Sequence, residues 1–152
     1  MQTRRVALKQ GLAAAGAIGS GALFTTGTAH AFNKGAFDAK SVQEAVKALG
    51  GTSLTESKDV TIQGPDIAEN GAVVPIGATT TLPAIKHLAL LVEKNPSALV
   101  AVFNINPAVD ASFSTRAKMG QSSDVYAVAI GQDGKAFFAK KEIKVTLGGC
   151  GG

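Results

Sequence analysis

Cysteine and aromatic residues are scarce in this sequence. Among its 152 residues there is one cysteine and no tryptophan, and aromatic side chains amount to 5%. A single cysteine excludes an internal disulfide, a CxxC redox pair and a cysteine-based zinc cluster. The few aromatic side chains offer little surface on which the bases of a single-stranded nucleic acid could stack.

Recognisable catalytic and metal-binding motifs are also lacking. The sequence has no Gly-x-Ser-x-Gly elbow, no Walker A loop and no GxGxxG segment. Of its two histidines, His87 lies alone within an apolar run, which favours a structural role over that of a base or metal ligand. The acidic residues are scattered singly. We therefore predict no catalytic residue and no metal site.

The composition is nevertheless that of a globular protein. Hydrophobic residues make up 45% of the chain and charged residues 17%, which excludes an intrinsically disordered chain. The length suits one domain that can bury a core without disulfide or metal support.

The N-terminal segment has the composition of a secretory signal. Three basic residues precede an uncharged run from Gln10 to Ala31, which ends in Ala-His-Ala, a small-x-small cleavage signature. We predict that residues 1–31 are removed after export and that the mature chain begins at Phe32. The alternative, an uncleaved membrane anchor, is disfavoured because the run is only weakly hydrophobic.

The basic residues before this run are typical of a twin-arginine signal: Arg4 and Arg5 are adjacent, and an apolar position and Lys9 follow. This route carries folded proteins, so we predict periplasmic localisation and co-export of a partner that lacks its own signal. Without the signal, the formal charge falls from +4 to +1, since twelve basic and eleven acidic side chains remain. The electrostatic reason to expect a nucleic-acid partner is then lost.

One short helix is predicted near the start of the mature chain. Asp38 is the expected cap and Gly50-Gly51 the expected stop. The apolar face of this helix has the spacing i, i+3, i+4, i+7 and is formed by Val42, Ala45, Val46 and Leu49.

The remaining mature chain is predicted to form strands. Short apolar or alternating runs, separated by turn signals, occur at Val60 to Ile62, Ala72 to Pro75, Thr79 to Leu82, Ile85 to Val92, Leu99 to Ile105, Val125 to Ile130, Ala136 to Phe138 and Ile143 to Leu147. This pattern predicts an all-β fold, a β-sandwich over residues 32–147 with the helix packed at one end.

Two of these predictions differ in specificity. Asp133-Gly134 lies between the alternating runs Val125 to Ile130 and Ala136 to Val145, which is a strong hairpin signal. Ile85 to Val92 is ambiguous, because a continuous apolar run fits a buried strand or a buried helix. Its neighbours favour the strand.

Four lysines lie close together on the last predicted hairpin, namely Lys135, Lys140, Lys141 and Lys144. We interpret them as the solvated face of a strand, with a docking site as the alternative.

The C-terminus is the most informative segment. Gly148, Gly149, Gly151 and Gly152 surround the single cysteine, Cys150. Because glycine does not restrict the backbone and termini are the least ordered parts of most domains, residues 148–152 are predicted to be a flexible arm. Five extended residues span about 17 Å, so the thiol could enter a pocket of another protein.

The surroundings of Cys150 differ from those of a catalytic cysteine. A catalytic thiol needs a neighbouring base or helix N-terminus and a fixed orientation. An ordinary thiol with a pKa of about 8.5 is only a few per cent ionised at pH 7. Activation would therefore come from the protein that receives the arm, which is the arrangement of a covalent carrier. Two alternatives stay open: an intermolecular disulfide that links a dimer, and an idle thiol.

In addition to this C-terminus, several segments occur in an order that resembles the SoxY family, the sulfur-carrier subunit of the bacterial thiosulfate-oxidising Sox complex. They are Ala68-Glu69-Asn70-Gly71-Ala72-Val73-Val74-Pro75, Asn95-Pro96, Ser114-Thr115-Arg116-Ala117-Lys118-Met119 and Lys144-Val145-Thr146, followed by Gly148-Gly149-Cys150-Gly151-Gly152. The resemblance covers essentially the whole mature chain.

The resemblance implies an immunoglobulin-like β-sandwich that pairs with a SoxZ-type subunit. It also implies that a c-type cytochrome joins thiosulfate oxidatively to Cys150 and that a SoxB-type hydrolase releases sulfate. A sulfane dehydrogenase, where one exists, would oxidise the remaining sulfur. The chain would then be a carrier rather than an enzyme, with covalently bound sulfur in place of a cofactor and without a stable membrane anchor.

Overall fold

In a computed structural model of the chain, the described residues are 33–146. The predicted signal 1–31 and the predicted arm 148–152, with Cys150, lie outside them. The described residues form helices α1 (Lys34–Asp38) and α2 (Val42–Ala48) and strands β1 (Thr55–Glu56), β2 (Val60–Gln63), β3 (Ile67–Ala68), β4 (Val74–Thr80), β5 (Ile85–Val92), β6 (Leu99–Asn104), β7 (Ser112–Ala117), β8 (Ser123–Gly131) and β9 (Ala136–Val145).

The strands form two sheets that pack face to face. The larger sheet has the order β1-β9-β8-β5-β6, and β3 also pairs with β9. The smaller sheet has the order β2-β4-β7. Strands β1 and β3 run parallel to β9, and the other pairs are antiparallel. The predicted β-sandwich is confirmed.

The larger sheet is covered on both of its faces, which explains its continuous apolar strands. In β5, Leu88 and Leu90 belong to the core between the two sheets. Ala89 and Leu91 alternate with them and pack on the opposite face with the helices. A strand buried on both faces loses the apolar–polar alternation that normally identifies it. Ile85 to Val92 is therefore a strand, as its neighbours indicated.

Helix α2 has the predicted apolar face but a different cap. Its four predicted core residues are all buried. The cap is Ser41, whose Oγ accepts a hydrogen bond from Glu44 N at 3.2 Å. The prediction of Asp38 as the cap was wrong, because Asp38 ends an additional short helix, α1. Gly50, with φ of 89°, follows the end of α2 as predicted. No helix within residues 33–146 is long and apolar enough to span a membrane.

Several strand boundaries differ from the prediction. Ala72 to Pro75 and Thr79 to Leu82 were predicted separately but contribute to one strand, β4. Likewise, Ala136 to Phe138 and the run from Ile143 lie on one strand, β9. Strand β7 was not predicted, because four of its six residues are polar and it lacks an apolar run.

The hairpin between β8 and β9 turns at Asp133-Gly134, as predicted. Gly134 has φ of 82°, a left-handed conformation that glycine adopts without steric cost. A Cβ added there would also lie 3.2 Å from the Gly50 carbonyl oxygen. The turn and the segment after α2 are therefore in contact.

We expect Gly134→Ala to destabilise the protein by about 1–2 kcal/mol, the usual cost of a left-handed conformation for a residue with a Cβ. Urea unfolding measures the change. Gly120→Ala is the matched control, since an added Cβ there has no neighbour within 4 Å. Equal stabilities of the two variants would contradict this interpretation of the turn.

Candidate functional site

The candidate site begins where strand β9 ends. Residues 144–146, here called the arm base, are the last described residues before the glycine segment. The predicted attachment site Cys150 and the predicted arm glycines Gly148, Gly149, Gly151 and Gly152 follow it but lie outside the described part of the chain. The arm base is therefore the described surface that is nearest to Cys150 along the chain.

The arm base is hydrogen-bonded along one edge to strand β3. Lys144 and Val145 pair in register with Ile67 and Ala68. Lys144 N donates to the carbonyl oxygen of Asp66 at 3.0 Å, and Thr146 N donates to that of Ala68 at 3.1 Å. This pairing joins segments that are far apart in the sequence.

The arm base is also bonded on its other edge and through a side chain. Val145 N donates to Ser122 Oγ at 2.9 Å. The hydroxyl of Thr146 lies 3.3 Å from the carbonyl oxygen of Glu69, to which it donates. Because both edges are bonded, the backbone is held in place as far as Thr146.

Lys141 connects β9 to the loop before β3. Its Nζ donates to the carbonyl oxygen of Gly64 at 2.6 Å and lies 2.8 Å from Asp66 Oδ1. The hydrogen bond and the charge of Lys141 lower the pKa of Asp66. The Asp66 side chain is 88% exposed, so solvent screens this ion pair and its contribution to stability is small. The bond to the half-buried carbonyl is the stronger connection.

The interpretation of the four lysines as one solvated face needs correction. Lys140 lies on the outer face of β9, where it pairs with Asp124 at 3.0 Å. Lys144 points to the same face and is exposed. Lys141 instead alternates with them onto the opposite face. Lys135 precedes β9 and pairs with Asp133 in the turn at 3.2 Å.

One exposed apolar side chain, that of Ile67, lies beside the arm base, and another, that of Val73, lies at the end of the loop that joins β3 to β4. Ile67 is 57% exposed and Val73 is 54% exposed; the third large hydrophobic residue exposed within 33–146 is Val109, at 40%. Ile67 is the register partner of Lys144. Val73 directly precedes β4, at the end of the loop that begins at Glu69, whose carbonyl oxygen accepts the bond from Thr146. Sequence patterning did not identify this surface, because single exposed apolar residues have no periodicity.

His87 is remote from the arm base. It lies on β5, two strands away from β9, and pairs in register with Asn104 of β6. Burial lowers the pKa of His87, and a hydrogen bond with the Asn104 side chain opposes this effect. The imidazole is therefore neutral at pH 7. Within residues 33–146 no group of three His, Cys, Asp or Glu side chains could hold a metal ion.

Comparison with known proteins gives a family match over most of the chain. The sequence model of the family described as "Sulfur oxidation protein SoxY" matches residues 45–150, a range that includes Cys150. A search of curated proteins finds no match.

Solved structures include a close structural relative. The sulfur carrier protein SoxY from Chlorobium limicola f thiosulfatophilum has 31% sequence identity and a TM-score of 0.64; the match covers 70% of this chain and 97% of that protein. A superoxide reductase (neelaredoxin) from Ignicoccus hospitalis is 19% identical, with a TM-score of 0.51, and covers 59% of this chain and 82% of its own. At that identity only the fold is shared.

We expect Lys141→Met to destabilise the protein by about 1 kcal/mol or more, because the Gly64 carbonyl loses a charged donor while the apolar stem is kept. The amides of Lys144 and Thr146 should exchange faster with solvent, which hydrogen exchange detects.

Asp66→Asn is the matched comparison and should change stability little. Because the folded-state pKa of Asp66 is lowered, its small contribution is present above the ordinary carboxylate range, near pH 4, and disappears as the pH falls through the lowered value. If Asp66→Asn were the more destabilising of the two variants at pH 7, the carbonyl bond would not be the main connection.

Proposed function

The chain belongs to the SoxY family of sulfur oxidation proteins, and from this membership we propose that it holds intermediates of thiosulfate oxidation on the Cys150 thiol and presents them to partner enzymes. As a SoxY-family protein it is a sulfur carrier of the Sox system and not a catalytic enzyme. The attachment residue, the bound species and the specific partners are the content of the proposal.

The observation that carries the proposal is the position of the single cysteine relative to the end of the fold. The family match extends to Cys150, and the last bonded residue of the described chain is Thr146. Three residues separate the two, so the Cα of Cys150 can lie no further than about 14 Å from the Cα of Thr146 at roughly 3.3–3.6 Å per residue. A thiol on so short a connection needs an enzyme that comes to the arm base.

Of the groups of this chain, only the Cys150 thiol takes part in the proposed chemistry. Thiosulfate and the Cys150 thiol form a new sulfur–sulfur bond, giving Cys–S–S–SO₃⁻, one proton and two electrons. A c-type cytochrome accepts the electrons. Water then cleaves the bond between the sulfane sulfur and the sulfonate in a SoxB-type hydrolase, which releases sulfate and leaves a persulfide on Cys150. Where a sulfane dehydrogenase exists, it oxidises the persulfide with three water molecules to Cys–S–SO₃⁻ and passes six electrons to its own acceptor, with release of seven protons. A second hydrolysis then releases sulfate and restores the thiol.

We propose further that the protein works in the periplasm as one subunit of a heterodimer with a SoxZ-type β-sandwich. Residues 1–31 would direct export by the twin-arginine route, which carries folded proteins. Co-export with the bound subunit would explain why a small protein without a cofactor motif carries such a signal.

Because the arm is short, each partner enzyme has to contact the surface around the arm base. Ile67 is exposed there and Val73 is exposed at the end of the loop that follows β3, and the buried centre of a protein contact is more apolar than the rest of the surface. Lys144 adds a positive charge beside Ile67. We propose that these three residues meet the rim of the pocket that admits the arm.

Cys150→Ser should abolish thiosulfate oxidation in a reconstituted mixture of the partner proteins, because an alcohol cannot form the sulfur–sulfur bond. Assembly with the SoxZ-type subunit should be unchanged, as size-exclusion chromatography would show. If the variant retained turnover, the attachment site would lie elsewhere. A cysteine that served only to link two chains would give a thiol-sensitive dimer and no sulfur adduct.

The double variant Ile67→Glu/Val73→Glu should lower kcat/KM for hydrolysis of the carrier adduct by roughly tenfold or more, mainly through KM. Such a loss corresponds to about 1.4 kcal/mol of contact energy. Alkylation of Cys150 by iodoacetamide should proceed at the wild-type rate, since a small reagent needs no docking. Val109→Glu is the control, with one such substitution of an exposed apolar residue in the loop between β6 and β7. Equal kinetic losses in both variants would count against the docking surface.

A further inference from the structure

The two sides of the sandwich differ in how their strand edges are covered. On one side, the outer edge of β9 is paired with β1 near its start and with β3 near its end. On the other side, both sheets end in a strand with one neighbour among the described residues: β6 pairs with β5, and β7 pairs with β4. We call the surface formed by the free edges of β6 and β7 the seam.

Within the seam, the free edge of β6 lacks protection by charge or proline, whereas β7 carries the exposed Arg116. Exposed edges usually carry lysine, proline or an inward-pointing charge, which discourage the pairing of another strand. Strand β6 contains no charged residue and no proline, and four of its residues, Val100 to Phe103, are half-buried. A register shift near Leu90 places a bulge at Val100. The following residues, Ala101–Asn104, pair regularly and leave a flat free edge.

An aromatic pair joins the two edge strands. The rings of Phe103 on β6 and Phe113 on β7 are stacked, with centroids 4.3 Å apart and planes 7° from parallel. Both side chains are half-buried and pack against the core between the sheets. The two free edges are therefore held at a fixed separation, with apolar material between them, as a rigid double edge.

We propose that the seam binds a partner β-sandwich subunit by strand addition, with a strand of the partner extending the larger sheet beyond β6. Free edges display unpaired main-chain N–H and C=O groups, which an extended strand satisfies, while alternate side chains supply specificity. The proposal rests on the proposed function, because the partner is the second subunit of the proposed heterodimer.

Two features favour a different chain over a second copy of this one. Arg116 of β7 is exposed and has no ion pair among the described residues, and neither β6 nor β7 contains an acid that a second copy could place opposite it. In the larger sheet, β8 and β5 also separate the seam strand β6 from β9. A subunit bound there would leave the arm base free for enzymes.

Hydrogen exchange measured by mass spectrometry tests the proposal on the complete chain, alone and with the co-expressed SoxZ-type subunit. Amides of residues 99–104 and 112–117 should be protected at least tenfold more in the complex. Those of β2, the other edge of the smaller sheet, should be unchanged. Protection confined to β2 or to the arm base, or no protection at the seam, would overturn the proposal.

A pair of matched variants gives a second, independent measurement. Asn104→Lys/Ser114→Lys places one lysine on an exposed position of each seam strand. Thr61→Lys/Gln63→Lys adds the same charge to exposed positions of β2 on the other edge. The seam variant should weaken subunit binding at least tenfold in calorimetry, and the control should bind like the wild type.

A failure of the seam as the interface and a failure of Cys150 as the sulfur carrier give different results. If both lysine variants bind equally, the seam is not the interface, whether or not Cys150 carries sulfur. A free chain that self-associates through a protected seam, detected by light scattering, would assign the seam to a second copy and overturn the proposal. If the wild-type complex acquires no sulfur adduct while the seam is protected, the carrier chemistry fails and the interface stands.

Discussion

Strand β9 is bonded on both edges at its last residue, Val145, by pairing with β3 on one edge and by the Ser122 hydroxyl on the other. The rest of the structure depends on these bonds. Strand β8 lines one edge, and the short parallel strands β1 and β3 line the other. Both β1 and β3 come from the first half of the described chain, so its last strand is held by segments that are distant in the sequence. These bonds fix the position of Thr146, and Cys150 is the fourth residue after it.

The proposed carrier and partner functions would use different regions of the surface. The short connection from Thr146 to Cys150 would confine contact with enzymes to the β9 side, where Ile67 is exposed. The seam on the β6 side would then be left for the proposed partner subunit. Between them, β5 and β8 are buried on both faces, since helices α1 and α2 cover the outer face of the larger sheet. This rigid centre keeps the two regions apart.

The sequence predicted the elements whose residues interact locally, and it missed those that depend on distant partners. The face of α2, the Asp133-Gly134 turn and strand β5 follow from spacing, turn chemistry and an apolar run. Strand β3 has two residues and exists only because β9 lies beside it, and β7 is a polar strand held by β4. The bond from Lys141 to Gly64 joins residues 77 positions apart, a distance that no local pattern encodes. Cys150 was singled out from the composition around it, and because it lies outside the described residues its role stays a prediction.

Intact-mass measurement tests most directly whether Cys150 carries sulfur in the cell. The protein would be isolated from its native host during growth on thiosulfate, and its mass compared before and after reduction. The account predicts adducts of sulfane sulfur and thiosulfonate that map to the C-terminal peptide and disappear on reduction. A thiol found only free, or only as a disulfide between two chains, would contradict it.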